Sequence, residues 1–392
     1  MSEYIGVGDL KLTEEDKAAV NKVLDSNRLS YGPVTKEFEA EFARLHDSKF
    51  ATFTNSGTSS LHIALGALKE KYGWDDGDEV IVPSVTFVAT SNIVIYNNMR
   101  PVFVDVEDST FNIDPKKIEE AITPKTKAII PVHLLGLPAD MDPIMSIAKK
   151  HNLRIIEDSA ETMFAKYKGR SVGSFGDIGC FSTYVAHYIV TGVGGLDTTS
   201  DPKLAVMLRS LMNHGRDSIY ISRDDNKTDD PDKLKEIIEK RFSFVTFGYS
   251  FRATELEAAI GLSQLKRKDQ IVFRRKEIAG KYLKGLSDLG EYLQFQQTPP
   301  DRDNVYMLFG VVCKSGKKEE LVNFLEQNNI ETRDLLPLMN QPIYKKTFGN
   351  IEHKYPVAEK LNKSGFYIGC HQYLTDDDVN YVIAKFHEFF KR

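Results

Sequence analysis

Cysteine is scarce in this chain: Cys180, Cys313 and Cys370 are the only three among 392 residues, and they stand far apart. An odd, scattered set of thiols argues against a disulfide framework and fits a reducing compartment. It also falls short of the four thiolates an iron–sulfur cluster usually takes. The nine histidines form no His-Glu-x-x-His and there is no Cys-x-x-Cys, so no metal site is assigned. No apolar run is long enough to cross a bilayer, and the opening Met1-Ser2-Glu3-Tyr4-Ile5-Gly6 lacks the basic start and apolar core of a secretion signal. A cytoplasmic protein with no membrane partner is expected. Excess charge of one sign is missing too: Lys and Arg number 51 against 56 Asp and Glu, a net charge of -5, which gives no reason to expect nucleic acid as the main partner.

What is present is material for a large core, with 41% hydrophobic and 27% charged residues, and a length that suggests two domains. Between about residues 50 and 200 short apolar runs alternate with amphipathic stretches, the pattern of an α/β fold with a mostly parallel sheet. Strands are expected at Glu79–Pro83, Pro101–Asp105, Ala128–Val132, Arg154–Asp158 and Gly179–Thr183, with helices at Asp142–Lys150 and Lys203–Asn213. Past Arg252 a helix is expected over Thr254–Lys266, and a long charged amphipathic stretch, Phe273–Leu286, leads to the turn-rich Gln296–Asp301. A smaller α+β domain follows, with the strand Val305–Cys313 and the helices Lys318–Asn328 and Asp376–Phe390. The division is placed at 1–265 and 266–392. The polar run Ser222–Lys235 reads as an exposed loop.

Several residues carry possible chemistry. The stretch from Ala51 to Leu65 reads as a strand, a tight turn at Gly57 and a helix from Thr58, a junction whose free N–H groups suit a phosphate; a plain capped helix start explains the same residues. It is not a P-loop, since no Gly-Lys-Ser/Thr follows, and Gly192-Val-Gly-Gly195 precedes a strand, unlike a dinucleotide fingerprint. Asp158 ends an apolar run and is the type of carboxylate that holds a ring-nitrogen proton, or caps a helix. Phe87 suits stacking on an aromatic ring, or a place in the core.

Taken in order along the chain, these residues resemble the DegT group of sugar aminotransferases, fold-type I pyridoxal-phosphate enzymes. The likeness runs through Tyr31-Gly-Pro, Asn55-Ser-Gly-Thr-Ser-Ser-Leu, Val82-Pro-Ser-Val-Thr-Phe, Pro131-Val-His-Leu-Leu-Gly, Glu157-Asp-Ser-Ala, Gly173-Ser-Phe-Gly-Asp, Asn213-His-Gly-Arg and Gly248-Tyr-Ser-Phe-Arg. The resemblance implies that Gly57, Thr58 and Ser182 contact the cofactor phosphate, that Phe87 covers the ring and that Asp158 bonds the pyridine nitrogen. It also implies a homodimer with shared sites, because the residue matching Ser250, usually asparagine, reaches the neighbouring subunit's cofactor.

The family's transaminases carry a lysine at the position of His187, and no lysine lies within Phe181–Gly195. An imidazole forms no stable imine with the cofactor aldehyde, so pyridoxal or pyridoxamine phosphate is expected to be held without a covalent bond. The pattern is closest to the GDP-4-keto-6-deoxymannose 3-dehydratases of the same family, with Glu161 where transaminases have glutamine, with His214, and with Gly369-Cys-His-Gln372. The resemblance implies dehydration at C3 of a nucleotide-linked 4-keto-6-deoxy sugar, with His187 as base, His214 as its orienting or proton-sharing neighbour, Glu161 at the cofactor, and glutamate as amino donor. A nucleotide-sugar aminotransferase and an inactive cofactor- or sugar-binding dimer are the alternatives. His133 and His371 are expected to be structural.

Overall fold

The computed structural model describes residues 4–217, 228–240 and 242–391. A seven-stranded sheet holds β1 (Phe50–Thr54), β2 (Glu79–Pro83), β3 (Arg100–Val104), β4 (Thr126–Ile129) and β5 (Arg154–Asp158), and, beyond the two-residue ribbon strands β6 (Lys166–Tyr167) and β7 (Arg170–Ser171), β8 (Ile178–Ser182) and β9 (Gly195–Thr199). Its order is β1-β9-β8-β5-β4-β2-β3, and β9 alone runs against the other six. Central strands β2 and β8 are buried along their whole length, which is why they read as continuous apolar runs without alternation. Helices Gly57–Tyr72, Val88–Tyr96 and Pro202–Met212 cover one face through Leu61, Leu65, Ile93 and Leu208. This is the fold-type I aminotransferase-like architecture.

A second sheet, in order β10-β11-β13-β12, is antiparallel throughout and consists of β10 (Leu293–Phe295), β11 (Leu308–Cys313), β12 (Thr332–Asp334) and β13 (Gly365–Gly369). Helices Lys268–Gly285, Lys318–Gln327 and Asp376–Phe390 pack on it through Tyr282, Leu325 and Phe386. The division proposed at 265/266 falls in the turn between the helices Glu255–Leu265 and Lys268–Gly285.

Three expectations need correction. Of the presumed loop Ser222–Lys235, residues 222–227 lie outside the described residues, and 231–235 open the helix Pro231–Lys240, which buries Ile237. Its short apolar stripe was hidden among charges. The strand expected from Val305 begins at Leu308, because Tyr306 adopts φ 49°, a left-handed conformation that breaks a ladder. Asp105 lies past the end of β3, where its carboxylate accepts from the Val357 and Ala358 N–H groups and so fastens the start of the helix Pro356–Ser364.

Candidate active site

The carboxyl ends of β1, β5 and β8 converge on one cavity of about 400 Å³, lined by Gly57, Thr58, Phe87, Asp158, Glu161, Ser182 and His187. Seven of the nine site residues expected from the sequence therefore meet in space. In open α/β sheets ligands collect at this end of the strands.

The anion end is built by β1 and its following helix. Ser56 caps that helix, accepting the Ser59 N–H at 3.0 Å, and the helix begins at Gly57, one residue earlier than the sequence suggested. Gly57 and Thr58 thus head a sixteen-residue helix, whose first N–H groups have no acceptor within the helix. Gly57 is required by close approach: a Cβ there would lie 2.8 Å from Cβ of Ser182. The two elements leave room for an oxyanion but not for another side chain.

At the opposite end Asp158 is almost completely buried, held by the Thr90 hydroxyl at 2.7 Å and the Ala160 N–H at 3.1 Å. Burial raises its pKa, while those two donors and His133 oppose the rise. Among the described residues Asp158 forms no ion pair, and a protonated ring nitrogen would supply its cationic partner. Phe87 stands between the two ends at the start of the helix Val88–Tyr96, 57% exposed, with a ring free to lie on a planar ligand. The site therefore fits a pyridoxal phosphate: an anion cradle, a stacking ring and a buried acid.

Glu161 accepts the Leu135 N–H at 2.8 Å, and burial followed by the charge of Asp158 pushes its carboxyl up to about 7 although that N–H bond pulls the other way. His187 lies in the loop between β8 and β9. Its Nδ1 faces the Tyr184 carbonyl at 3.1 Å, and because a carbonyl only accepts, Nδ1 carries the proton and Nε2 presents a lone pair. Burial, with a smaller contribution from Arg275, lowers the imidazole pKa to about 4, against the pull of the Tyr184 carbonyl.

His214 and Ser250 are not part of this lining. Both are exposed and share Arg252, whose Nη2 lies 3.3 Å from Nε2 of His214 and 3.2 Å from the Ser250 hydroxyl. Within one subunit His214 is not brought to His187. Sequence reasoning missed Thr90, and also the wall formed by Val7, Met307, Leu336 and Tyr367. Thr90 lies four residues after Thr86, whose hydroxyl it meets at 2.7 Å; the wall residues carry no local signal. His133 is structural: it takes the Ala139 N–H on Nδ1 at 2.9 Å and lies 3.1 Å from Glu157, which also binds the N–H groups of Gly173, Phe175 and Gly176.

The model of the DegT/DnrJ/EryC1/StrS aminotransferase family matches residues 10–387. The chain belongs to this family. GDP-perosamine synthase of Escherichia coli O157:H7 is 35% identical over 391 residues, covering 99% of each chain. The spore coat polysaccharide biosynthesis protein SpsC of Bacillus subtilis is 35% identical over 387 residues, covering 96% of this chain and 95% of its own. Among solved structures, the E. coli GDP-4-keto-6-deoxy-D-mannose-3-dehydratase with bound hydrated PLP matches with a TM-score of 0.88 at 29% identity, covering 98% of this chain and 100% of that one. An aminotransferase from Psychrobacter cryohalolentis matches with a TM-score of 0.88 at 31% identity, covering 100% and 98%. This DegT-family chain is thus a pyridoxal-phosphate-dependent enzyme of the nucleotide-sugar aminotransferase and dehydratase group. Among the described residues no helix is long and apolar enough to cross a membrane.

Proposed function

We propose that this enzyme removes the C3 hydroxyl of a nucleotide-linked 4-keto-6-deoxy sugar, with the cofactor held noncovalently and glutamate as amino donor. The observation that carries the proposal is His187: among the described residues the cavity lining includes this imidazole and no lysine. When bound, the cofactor would carry nitrogen to the sugar's keto carbon and supply an electron sink, so that loss of a proton from the cofactor lets the hydroxyl on the sugar carbon next to that keto position leave.

The chain supplies the rest. Neutral at physiological pH, His187 takes a proton on Nε2, the nitrogen left free by the Tyr184 carbonyl. Asp158 holds the ring nitrogen, and Gly57, Thr58 and Ser182 hold the phosphate. Phe87 limits tilt of the ring. Glu161, on the same lining and poised near neutrality, would exchange a proton with a polar substituent of the cofactor ring.

A homodimer with shared sites is part of this reading. Phe242, Val245 and Phe247 are 84%, 62% and 99% exposed in the segment that leads to Ser250 and Arg252, and such aromatic exposure suits a covered interface. It would carry His214 and Ser250 to the neighbouring cavity. The three described cysteines are free thiols, which fits a cytoplasmic setting.

Aminotransfer is the second reading, favoured by the 35% identity to GDP-perosamine synthase. Borohydride reduction followed by intact mass measurement separates the two. The proposal expects the cofactor to be lost on denaturation, with ammonia released in proportion to a 3-deoxy product. A cofactor fixed to the chain, with nitrogen retained in the sugar, overturns it, and binding without turnover across a panel of 4-keto sugars would leave a non-catalytic dimer.

A further inference from the structure

Arg275, in the helix Lys268–Gly285, is 1% exposed, yet no carboxylate of the described residues forms an ion pair with it. Its guanidinium is instead spent on neutral acceptors. Nε donates to the Gln372 side chain at 3.0 Å, Nη1 to the carbonyls of Met307 and Cys370 at 2.8 and 3.3 Å, and Nη2 to the carbonyl of His187 at 3.1 Å. The group also lies over the Tyr188 ring, 4.7 Å from its centroid. A buried cation without a counter-ion costs several kcal/mol, so a purely structural clamp would be better built from an amide. Such a residue calls for a reason.

The reason lies in what it holds. The segment from Thr183 to Gly194 crosses the cavity as a loop, without the ladder hydrogen bonds that fix a strand along its length. Two side chains from the helices Glu255–Leu265 and Lys268–Gly285 fasten its backbone. Gln264 accepts the Val190 N–H at 2.9 Å and donates to the Val190 carbonyl at 2.7 Å, and Arg275 takes the His187 carbonyl. The second clamp ties His187 to the ends of β11 and β13 through Met307 and Cys370.

We propose that Arg275 is the positioning residue of His187: it anchors the backbone that carries the imidazole and places a permanent positive charge behind it, so that the ring stays an unprotonated base. This deepens the reading of His187 as the base and rests on it. Among the described residues, the titratable or charged groups around the loop are Arg275 on its helix, Cys370 and His371 beyond β13, Asp303 ahead of β11, Asp9 and Lys11 on the N-terminal segment that packs at Ala186, Tyr184 and Tyr188 in the loop, and Asp158, Glu161 and Tyr367 across the cavity. Of these, Arg275 is the one whose charge lowers the pKa of His187. Guanidinium suits the task because it stays charged even where burial lowers its own pKa.

The test uses the PLP-loaded enzyme labelled with 13C,15N-histidine, with the His187 ring signal assigned by its loss in His187→Gln. In the wild type the ring should stay neutral down to about pH 5.5, and in Arg275→Met its midpoint should rise by about one pH unit. Arg275→Lys keeps the charge but cannot reach four acceptors. It should keep the low midpoint while slowing amino transfer from glutamate to the cofactor about tenfold, because the base is no longer held in place. Should the Met variant fail to fold, the wild-type titration and the Lys variant decide. A wild-type midpoint near 6.5, a Met variant that titrates like the wild type, or a Lys variant of undiminished rate overturns the proposal. Failure of the underlying reading shows differently: His187→Gln would then keep full activity whatever Arg275 does.

Discussion

Glu161→Gln tests whether the acid beside Asp158 is held by burial. The carboxyl titrates at about 7 in the fold against an ordinary value of 4.5, and at about 1.4 kcal/mol per pH unit that gap is worth roughly 3 kcal/mol. The sign follows from proton counting. Between pH 4.5 and 7 the native state holds a proton that the unfolded chain has released, so wild-type stability falls as the pH rises through that window and levels off above it. Glutamine keeps an oxygen for the Leu135 N–H, now at 2.8 Å, and has no charge to desolvate. In urea denaturation of the apoprotein, the variant should match the wild type near pH 4.5 and exceed it by about 3 kcal/mol at pH 8. Parallel curves across that range would mean that Glu161 ionises in the fold as it does in water, and the burial argument would fail.

His187→Lys should restore a borohydride-stable link to the cofactor and move the product from the 3-deoxy sugar toward an amino sugar, as read by mass spectrometry of protein and product. Gly57→Ala places a methyl 2.8 Å from Cβ of Ser182 and should weaken PLP binding at least roughly tenfold in an absorbance titration, with an unchanged circular dichroism spectrum. Glu157→Ala strands the N–H groups of Gly173, Phe175 and Gly176 together with His133; a loss of about 3–5 kcal/mol in denaturant is expected. In the proposed dimer, Phe247→Ser, at a fully exposed position, should leave the subunit folded and shift sedimentation toward the monomer; a wild type that sediments as a monomer would refute the shared site.

The motifs that carried the family resemblance serve different ends, and only the fold tells them apart. Asn55-Ser-Gly-Thr and Glu157-Asp-Ser-Ala place Gly57, Thr58 and Asp158 on the cavity. Gly173-Ser-Phe-Gly-Asp and the histidine of Pro131-Val-His instead close a buried node around Glu157. Asn213-His-Gly-Arg is partly steric, since a Cβ on Gly215 would overlap the backbone of Thr246.

The sequence alone determined whatever is written in neighbouring residues. The strands Glu79–Pro83 and Arg154–Asp158 and the helix Asp376–Phe390 follow from runs and periods of apolar side chains, and fall where the chain pattern put them. The histidine at the lysine position is likewise a property of one residue in its segment. Only the tertiary structure decided what lies around that histidine. Arg275 is 88 residues away from it in the chain, Gln264 is 74 from Val190, and Thr90 is 68 from Asp158. Such contacts form because packed helices and sheets bring distant segments together, and a charged or polar side chain looks the same in sequence whether it faces water or a buried carbonyl.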